Sequence, residues 1–128
     1  MSSPAARTPE DCDHRLNEYL AAGDLDAIVG LYEPGATFVT QDRSVKVGRD
    51  AIREAFAEFA AAKPRLRSNI VMVLRNGDNL AVLYNDWSMS VRTPDGQEHQ
   101  MTGKAVEVVC RQSDGSWKFA VDDPFARS

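Results

Sequence analysis

Three turn signals in the C-terminal half constrain this chain more than any other feature. Asn76-Gly77-Asp78-Asn79, Thr93-Pro94-Asp95-Gly96 and Ser113-Asp114-Gly115-Ser116 all combine residues that tolerate positive φ or hydrogen-bond their own backbone. Around them lie the apolar or alternating segments Ile70 to Leu74, Leu80 to Val91 and Ala105 to Cys110. Period two, cut at these turns, predicts four successive antiparallel strands joined as a meander.

The first part of the chain follows another period. Thr8-Pro9-Glu10-Asp11 reads as a helix start, with Cys12, Leu16, Tyr19 and Leu20 at helical spacing and Gly23 as the stop. Asp24 caps a second short helix with Leu25, Ile28, Leu31 and Tyr32 on one face, ended by Pro34-Gly35. Ala36 to Thr40 reads as a strand and Val45 to Val47 as a shorter one. Gly48-Arg49-Asp50 opens a third helix, striped by Ile52, Ala55, Phe56 and Phe59 and blocked by Pro64.

The expected fold class is α+β: helix, helix, strand, short strand, helix, then four strands. The apolar helix stripes must be covered, so the three helices are expected in the concave face of a strongly bent, mostly antiparallel sheet, as a cone with one open end. With 128 residues, the chain suits one domain, expected over 9–128, with residues 1–8 as a flexible N-terminus.

Composition excludes several function classes. The net charge is −4 and no Lys/Arg cluster occurs, so nucleic acid is not an expected partner. Residues 1–64 carry 7 Lys/Arg against 11 Asp/Glu, which places the excess acid on the helices, chiefly as solvated faces. No apolar run reaches the roughly 18 residues of a membrane span. With no apolar leader core at the N-terminus, a cytoplasmic location follows by default. Cys12 and Cys110 sit among apolar neighbours and read as buried thiols rather than a disulfide. There is no phosphate-binding glycine loop and no metal-ligand spacing, so no cofactor and no metal are expected.

The segments Ala22-Gly23-Asp24-Leu25-Asp26-Ala27-Ile28-Val29, Leu31-Tyr32, Gly35-Ala36-Thr37-Phe38, Gly48-Arg49-Asp50-Ala51-Ile52-Arg53, Asp114-Gly115-Ser116-Trp117-Lys118 and Asp122-Asp123-Pro124-Phe125 carry a family resemblance. In this order they resemble the superfamily of nuclear transport factor 2, ketosteroid isomerase, scytalone dehydratase and the SnoaL polyketide cyclases. The chain most resembles the SnoaL-like branch, mostly bacterial proteins without assigned chemistry. The resemblance implies the cone fold and a hydrophobic pocket, and a homodimer is expected because both faces of strand 105–110 carry valine, alanine or cysteine. It implies no single reaction, because this fold hosts many. The motifs themselves are also sufficient as caps and turns.

Against the chemistries of that superfamily the chain matches only in part. Through Gly23-Asp24, the steroid isomerase base falls on Thr40 and its tyrosine on Leu16, with Tyr19 one turn away. Through the Gly115 turn, its protonated acid falls on Glu107. The Arg-x-Asp pair of the epoxide hydrolases is absent after both Arg92 and Arg111, and His14 and His99 sit in exposed-looking positions.

The residues themselves single out Asn85, within the face Ala81, Leu83, Trp87, Met89 and Val91, and Glu107, within Ala105 to Val109. A polar group on an apolar face needs a partner or a wet cavity. For Glu107 two readings stand: an ion pair with Lys104 or Arg111, or a buried acid with raised pKa. Asp122 and Asp123 point to opposite faces, so one at most enters the pocket. The expected catalytic set is Glu107 as acid/base with Tyr19 and Asn85 as hydrogen-bond donors. The expected substrate-binding set is Trp87, Met89, Leu16, Thr40, Phe56 and Asp122, and the partner a small apolar molecule. The expected function is a small-molecule pocket protein, as a cofactor-free isomerase, cyclase, dehydratase or hydrolase, or else a non-catalytic binding or dimerisation module.

Overall fold

The computed structural model describes residues 4–128. The first helix, α1 (Asp11–Ala22), begins where the Thr8 hydroxyl accepts the Asp11 N–H at 3.1 Å. Pro9 lies in the turn before it rather than at its first position. Gly23 ends the helix at φ 68°, and a Cβ there would sit 3.0 Å from the carbonyl of Ala60, so conformation and space both favour glycine. Asp24 then caps α2 (Leu25–Gly30) by accepting from the Ala27 N–H.

The second helix is shorter than its apolar spacing implies. It stops at Gly30, and Tyr32 opens β1 (Tyr32–Val39) instead of closing a helical face. Pro34 and Gly35 lie inside this strand, where the pairing register shifts, and do not terminate a helix. β2 (Val45–Val47) pairs back on β1, and α3 (Arg49–Ala62) follows Gly48 as expected. After Pro64 comes a three-residue strand that period two alone is too short to mark, β3 (Arg65–Arg67). The meander β4 (Ile70–Asn76), β5 (Leu80–Arg92), β6 (Glu98–Arg111) and β7 (Trp117–Arg127) turns at the three predicted places.

All seven strands form one sheet in the order β2-β1-β7-β6-β5-β3, with β4 sharing the β5 edge with β3. The sheet is antiparallel except for β1 against β7. Cys12, Leu16, Leu20, Ile28, Ile52 and Phe56 from the helices meet Tyr32, Leu83, Val109 and Phe119 from the sheet in one core. Each such large apolar side chain contributes about 1.5–3 kcal/mol on burial. The odd-numbered residues of β5 and β6 form the covered face, including Ala81, Leu83, Asn85, Trp87, Met89, Ala105, Glu107 and Val109.

The N-terminal segment differs from the expected loose tail. Ala6 is buried, and its carbonyl accepts the Trp117 N–H at 2.9 Å, so residues around it add an isolated bridge to β7. Residues 1–3 of that expected tail lie outside the described residues. Among the described residues no helix is long and apolar enough to cross a membrane.

Candidate functional site

Between helices and sheet lies a cavity of about 580 Å3. Its floor is made by four elements. α1 turns Asp13, Leu16 and Leu20 towards it, three and four residues apart, on one helical face. β6 contributes Glu107, and β7 contributes Asp122, its directly paired neighbour on the same face of the sheet. Asn85 comes from β5. Three carboxyl groups therefore converge where the surroundings are otherwise apolar: Asp13, Glu107 and Asp122 are 1%, 3% and 3% exposed.

Burial dominates the proton affinities of all three. It pushes Asp13 up to about 6, against partial relief from hydrogen bonding and from His14. It pushes Asp122 up to about 7, although the Tyr32 hydroxyl, donating to Asp122 Oδ2 at 2.6 Å, opposes the rise. Glu107 is raised well above the usual carboxylate range, by burial first and then by the negative charges of Asp13 and Asp122. Asp13 Oδ2 and Glu107 Oε1 have no hydrogen-bond partner. The thiol of Cys12, beside Asp13, is raised far above its ordinary value by burial, which keeps it protonated and poor as a nucleophile.

The ion-pair reading of Glu107 is thereby corrected. Lys104 is exposed on the other face of the sheet, and Arg111 is exposed at the end of β6. Neither lies among the groups that shift Glu107. The choice between Asp122 and Asp123 is also decided: Asp122 faces inwards, while Asp123 takes a two-pronged pair from Arg43 at 2.7 and 2.9 Å.

Asn85 lines the cavity and also finds partners. Its Oδ1 accepts the Asn69 N–H at 3.0 Å and its Nδ2 donates to Ser68 Oγ at 3.2 Å. It thus ties β5 to the joint between β3 and β4. Trp87 and Met89 form a wall with Leu66, Met101 and Phe125. Trp87 Nε1 donates to the Pro124 carbonyl at 2.8 Å. The indole lies over Gly103, where a Cβ would come within 2.5 Å of the ring, so a side chain there would force Trp87 to move. Leu16, Phe56 and Thr40 complete the expected lining. The Thr40 hydroxyl donates to Asp42, inside the turn at the cavity rim.

Tyr19 is a correction. It does not line the cavity: its hydroxyl donates to the Pro4 carbonyl on the other side of α1. One residue of helix turns the chain about 100°, which separates it from Leu20 on the cavity face. Two residues escaped the sequence reading, Asp13 on the floor and Tyr32 behind it. Asp13 carried a usable signal, an acid on the same helical stripe as Leu16 and Leu20. Tyr32 carried none, because its spacing fits the preceding helix.

Chemically, carboxyls raised towards neutrality, Asp13 to about 6 and Asp122 to about 7, are able to hold or release a proton inside an apolar enclosure. Among the described residues no group of three or more His, Cys, Asp or Glu is placed to hold a metal ion.

The sequence matches the model of a SnoaL-like domain over residues 14–119. No curated protein matches the chain. Among solved structures, a conserved protein from Planctomyces limnophilus superposes with a TM-score of 0.81 at 16% identity, over 91% of each chain. A nuclear transport factor 2-like superfamily protein from Salmonella enterica gives 0.77 at 20% identity, over 92% of this chain and 89% of that one. A ketosteroid isomerase-like protein from Erwinia carotovora gives 0.75 at 14% identity, over 89% of each. At these identities the likeness is one of fold.

Proposed function

This chain belongs to the SnoaL-like family, and from that premise we propose that its cavity is a small-molecule site whose acidic floor moves protons without a cofactor. The reaction class is isomerisation, cyclisation, dehydration or hydrolysis of a mostly apolar molecule. One observation carries this reading: three buried carboxyls with separated proton affinities meet at the floor of an apolar cavity. Carboxyls pushed apart in this way can serve as acid and base together at neutral pH. Glu107 keeps its proton and is the general acid. Asp13, largely ionised above about pH 6, is the base. Tyr32 holds Asp122, Asn85 orients the floor, and Trp87, Met89, Leu16 and Phe56 shape the apolar wall. Thr40 stays at the rim.

The test is proton exchange. Apolar ketones, esters and lactones are incubated with the protein in deuterated water, and label at carbon is followed by NMR. Wild type should incorporate deuterium, with a rate rising through pH 6, and Glu107→Gln should lower it by roughly 100-fold or more. Equal exchange by both proteins would sink the assignment. The non-catalytic reading has its own support, since the steroid isomerase base position is Thr40, tied into a turn. It predicts binding without exchange.

The homodimer belongs to the same proposal. Leu74, Val82, Val108 and Val121 are paired in register across β4, β5, β6 and β7 on the sheet face opposite the helices. Leu74 and Val121 are 46% and 38% exposed. A continuous apolar row in water marks an interface. Sedimentation at micromolar concentration should give a dimer; a monomer contradicts it.

A further inference from the structure

The floor has a surplus of acceptors. Asp13, Glu107 and Asp122 bring six carboxyl oxygens, and apart from the one proton that Glu107 and Asp13 share between them, Asp13 Oδ2 and Glu107 Oε1 are buried without a donor from any other residue. Donors are few. The Tyr32 hydroxyl is committed to Asp122, the Asn85 amide is shared between Ser68 and the Asp13–Glu107 pair, and the Trp87 N–H is committed to Pro124. The remaining side-chain N–H groups in the lining, on Gln41 and Lys46, belong to the rim. Such a floor repels an anion. A ketone would add one more acceptor, and an alcohol supplies a single donor. An ammonium group supplies three donors and the positive charge that this cluster lacks.

We propose that the cavity takes a lipophilic amine, its nitrogen donating to Asp13 Oδ2 and Glu107 Oε1 and its hydrocarbon body lying against Phe38, Phe56 and Trp87. This rests on the reading of the cavity as the ligand site and names its substrate class. The protons balance. A neutral amine takes the proton of Glu107, so one O–H bond breaks, one N–H bond forms, and an ion pair remains with no change in net charge. An amine that arrives protonated, as its ordinary pKa of about 10 dictates, sends the acid's proton to solvent instead. The aromatic rings around the body also favour a cation nearby.

The second route gives the affinity a pH signature. The titratable groups at the floor are Asp13 from α1, Glu107 from β6 and Asp122 from β7, with the Cys12 thiol beside Asp13 and the Tyr32 hydroxyl on Asp122; Asp42 and Lys46 stand at the rim, and His14 and Asp123 act only as outlying charges. The helix α3 and the strand β3 contribute only apolar lining, Phe56, Phe59, Ala55 and Leu66. Amine binding must therefore strengthen as Asp13 and Asp122 ionise between pH 5 and pH 8. A ketone accepting from a protonated acid must weaken over the same range.

Phenylcyclohexylamine, phenylcyclohexanol and phenylcyclohexanone have nearly the same shape and differ in their donors and charge. Their affinities for the wild-type protein are measured by calorimetry and Trp fluorescence at pH 5, 6.5 and 8. The amine should bind at least about tenfold more tightly than the other two at pH 8, with its affinity rising from pH 5. Glu107→Gln, or Asp13→Asn if that variant does not fold, should remove this preference by bringing the amine's affinity down to that of the alcohol for the same variant. Equal or tighter binding of the alcohol or ketone overturns the amine and leaves the cavity reading intact. Binding of none of the three overturns both.

Discussion

Carboxylates at the cavity floor and carboxylates in the surface turns behave in opposite ways. Asp13, Glu107 and Asp122 are all raised, because burial removes water from the charged form faster than neighbours replace it. Asp42, Asp95 and Asp114 are all lowered, because hydroxyl and backbone donors two residues away hold the charged form in water. Each turn aspartate accepts a backbone N–H two residues on, from Ser44, Gln97 and Ser116 respectively. The difference teaches that solvation and donor supply, and not the chemical group, decide which acids in this chain are structural. Turn acids earn their place by ordering backbone. Floor acids cost stability, which is what a functional role explains.

That contrast can be broken most directly at Glu107. A raised folded pKa means its stabilising contribution is greatest at low pH and is lost as pH climbs through the folded value. The same sign holds for Asp13, lost through about 6, and Asp122, lost through about 7. Stability should therefore fall between pH 5 and pH 8, by on the order of a few kcal/mol from the floor as a whole. Glu107→Gln should flatten that fall and raise the melting temperature at pH 8, as calorimetric melts at the two pH values would show. A variant that melts lower at pH 8 would mean the carboxylate is structurally needed.

Tyr32→Phe offers a smaller and sharper effect. Removing the hydroxyl should push Asp122 further up, since Tyr32 is the hydrogen bond that lowers it. The stability cost should be about 1–2 kcal/mol near neutral pH. Carboxyl-region NMR of the two proteins checks the direction, and an unchanged or lowered Asp122 pKa would contradict the geometry.

At the small end, Asp114→Asn should leave melting near neutrality almost unchanged, since this acid is exposed and asparagine keeps the turn. Its effect should grow only with the sign opposite to the floor. The lowered pKa contributes stability above the ordinary carboxylate range, lost as pH falls through the lower folded value. Melts of this variant and wild type should therefore converge in acid. A variant that melts increasingly above wild type as pH rises would place Asp114 with the floor acids.

Much of this was legible along the chain. The cap at Asp24, the helix start at Gly48 and the three meander turns depend on residues within four positions of one another, so local chemistry specifies them. Asn85 and Glu107 were visible because one polar residue interrupted an alternating apolar face. Asp13 had the same signal at helical period, but an acid in a first turn also suits the helix dipole, and the two explanations mask each other. Tyr19 failed for a related reason: helical spacing placed it near Leu16, but what it touches depends on where residues 4–6 return.

The sequence by itself determined the order of the helices and of the longer strands, the turns, the apolar stripes and the polar interruption at Glu107, since each rests on periodicity or on a short-range cap. Only the tertiary structure decided that Asp13, Glu107 and Asp122 share one floor. They stand 94 and 15 residues apart along the chain, and no local rule links them. The pairing of β6 with β7 sets Glu107 beside Asp122, and the seating of α1 in the concave face brings Asp13 against both. The sheet's order and curvature, a property of the whole chain, turn three separate acids into one site.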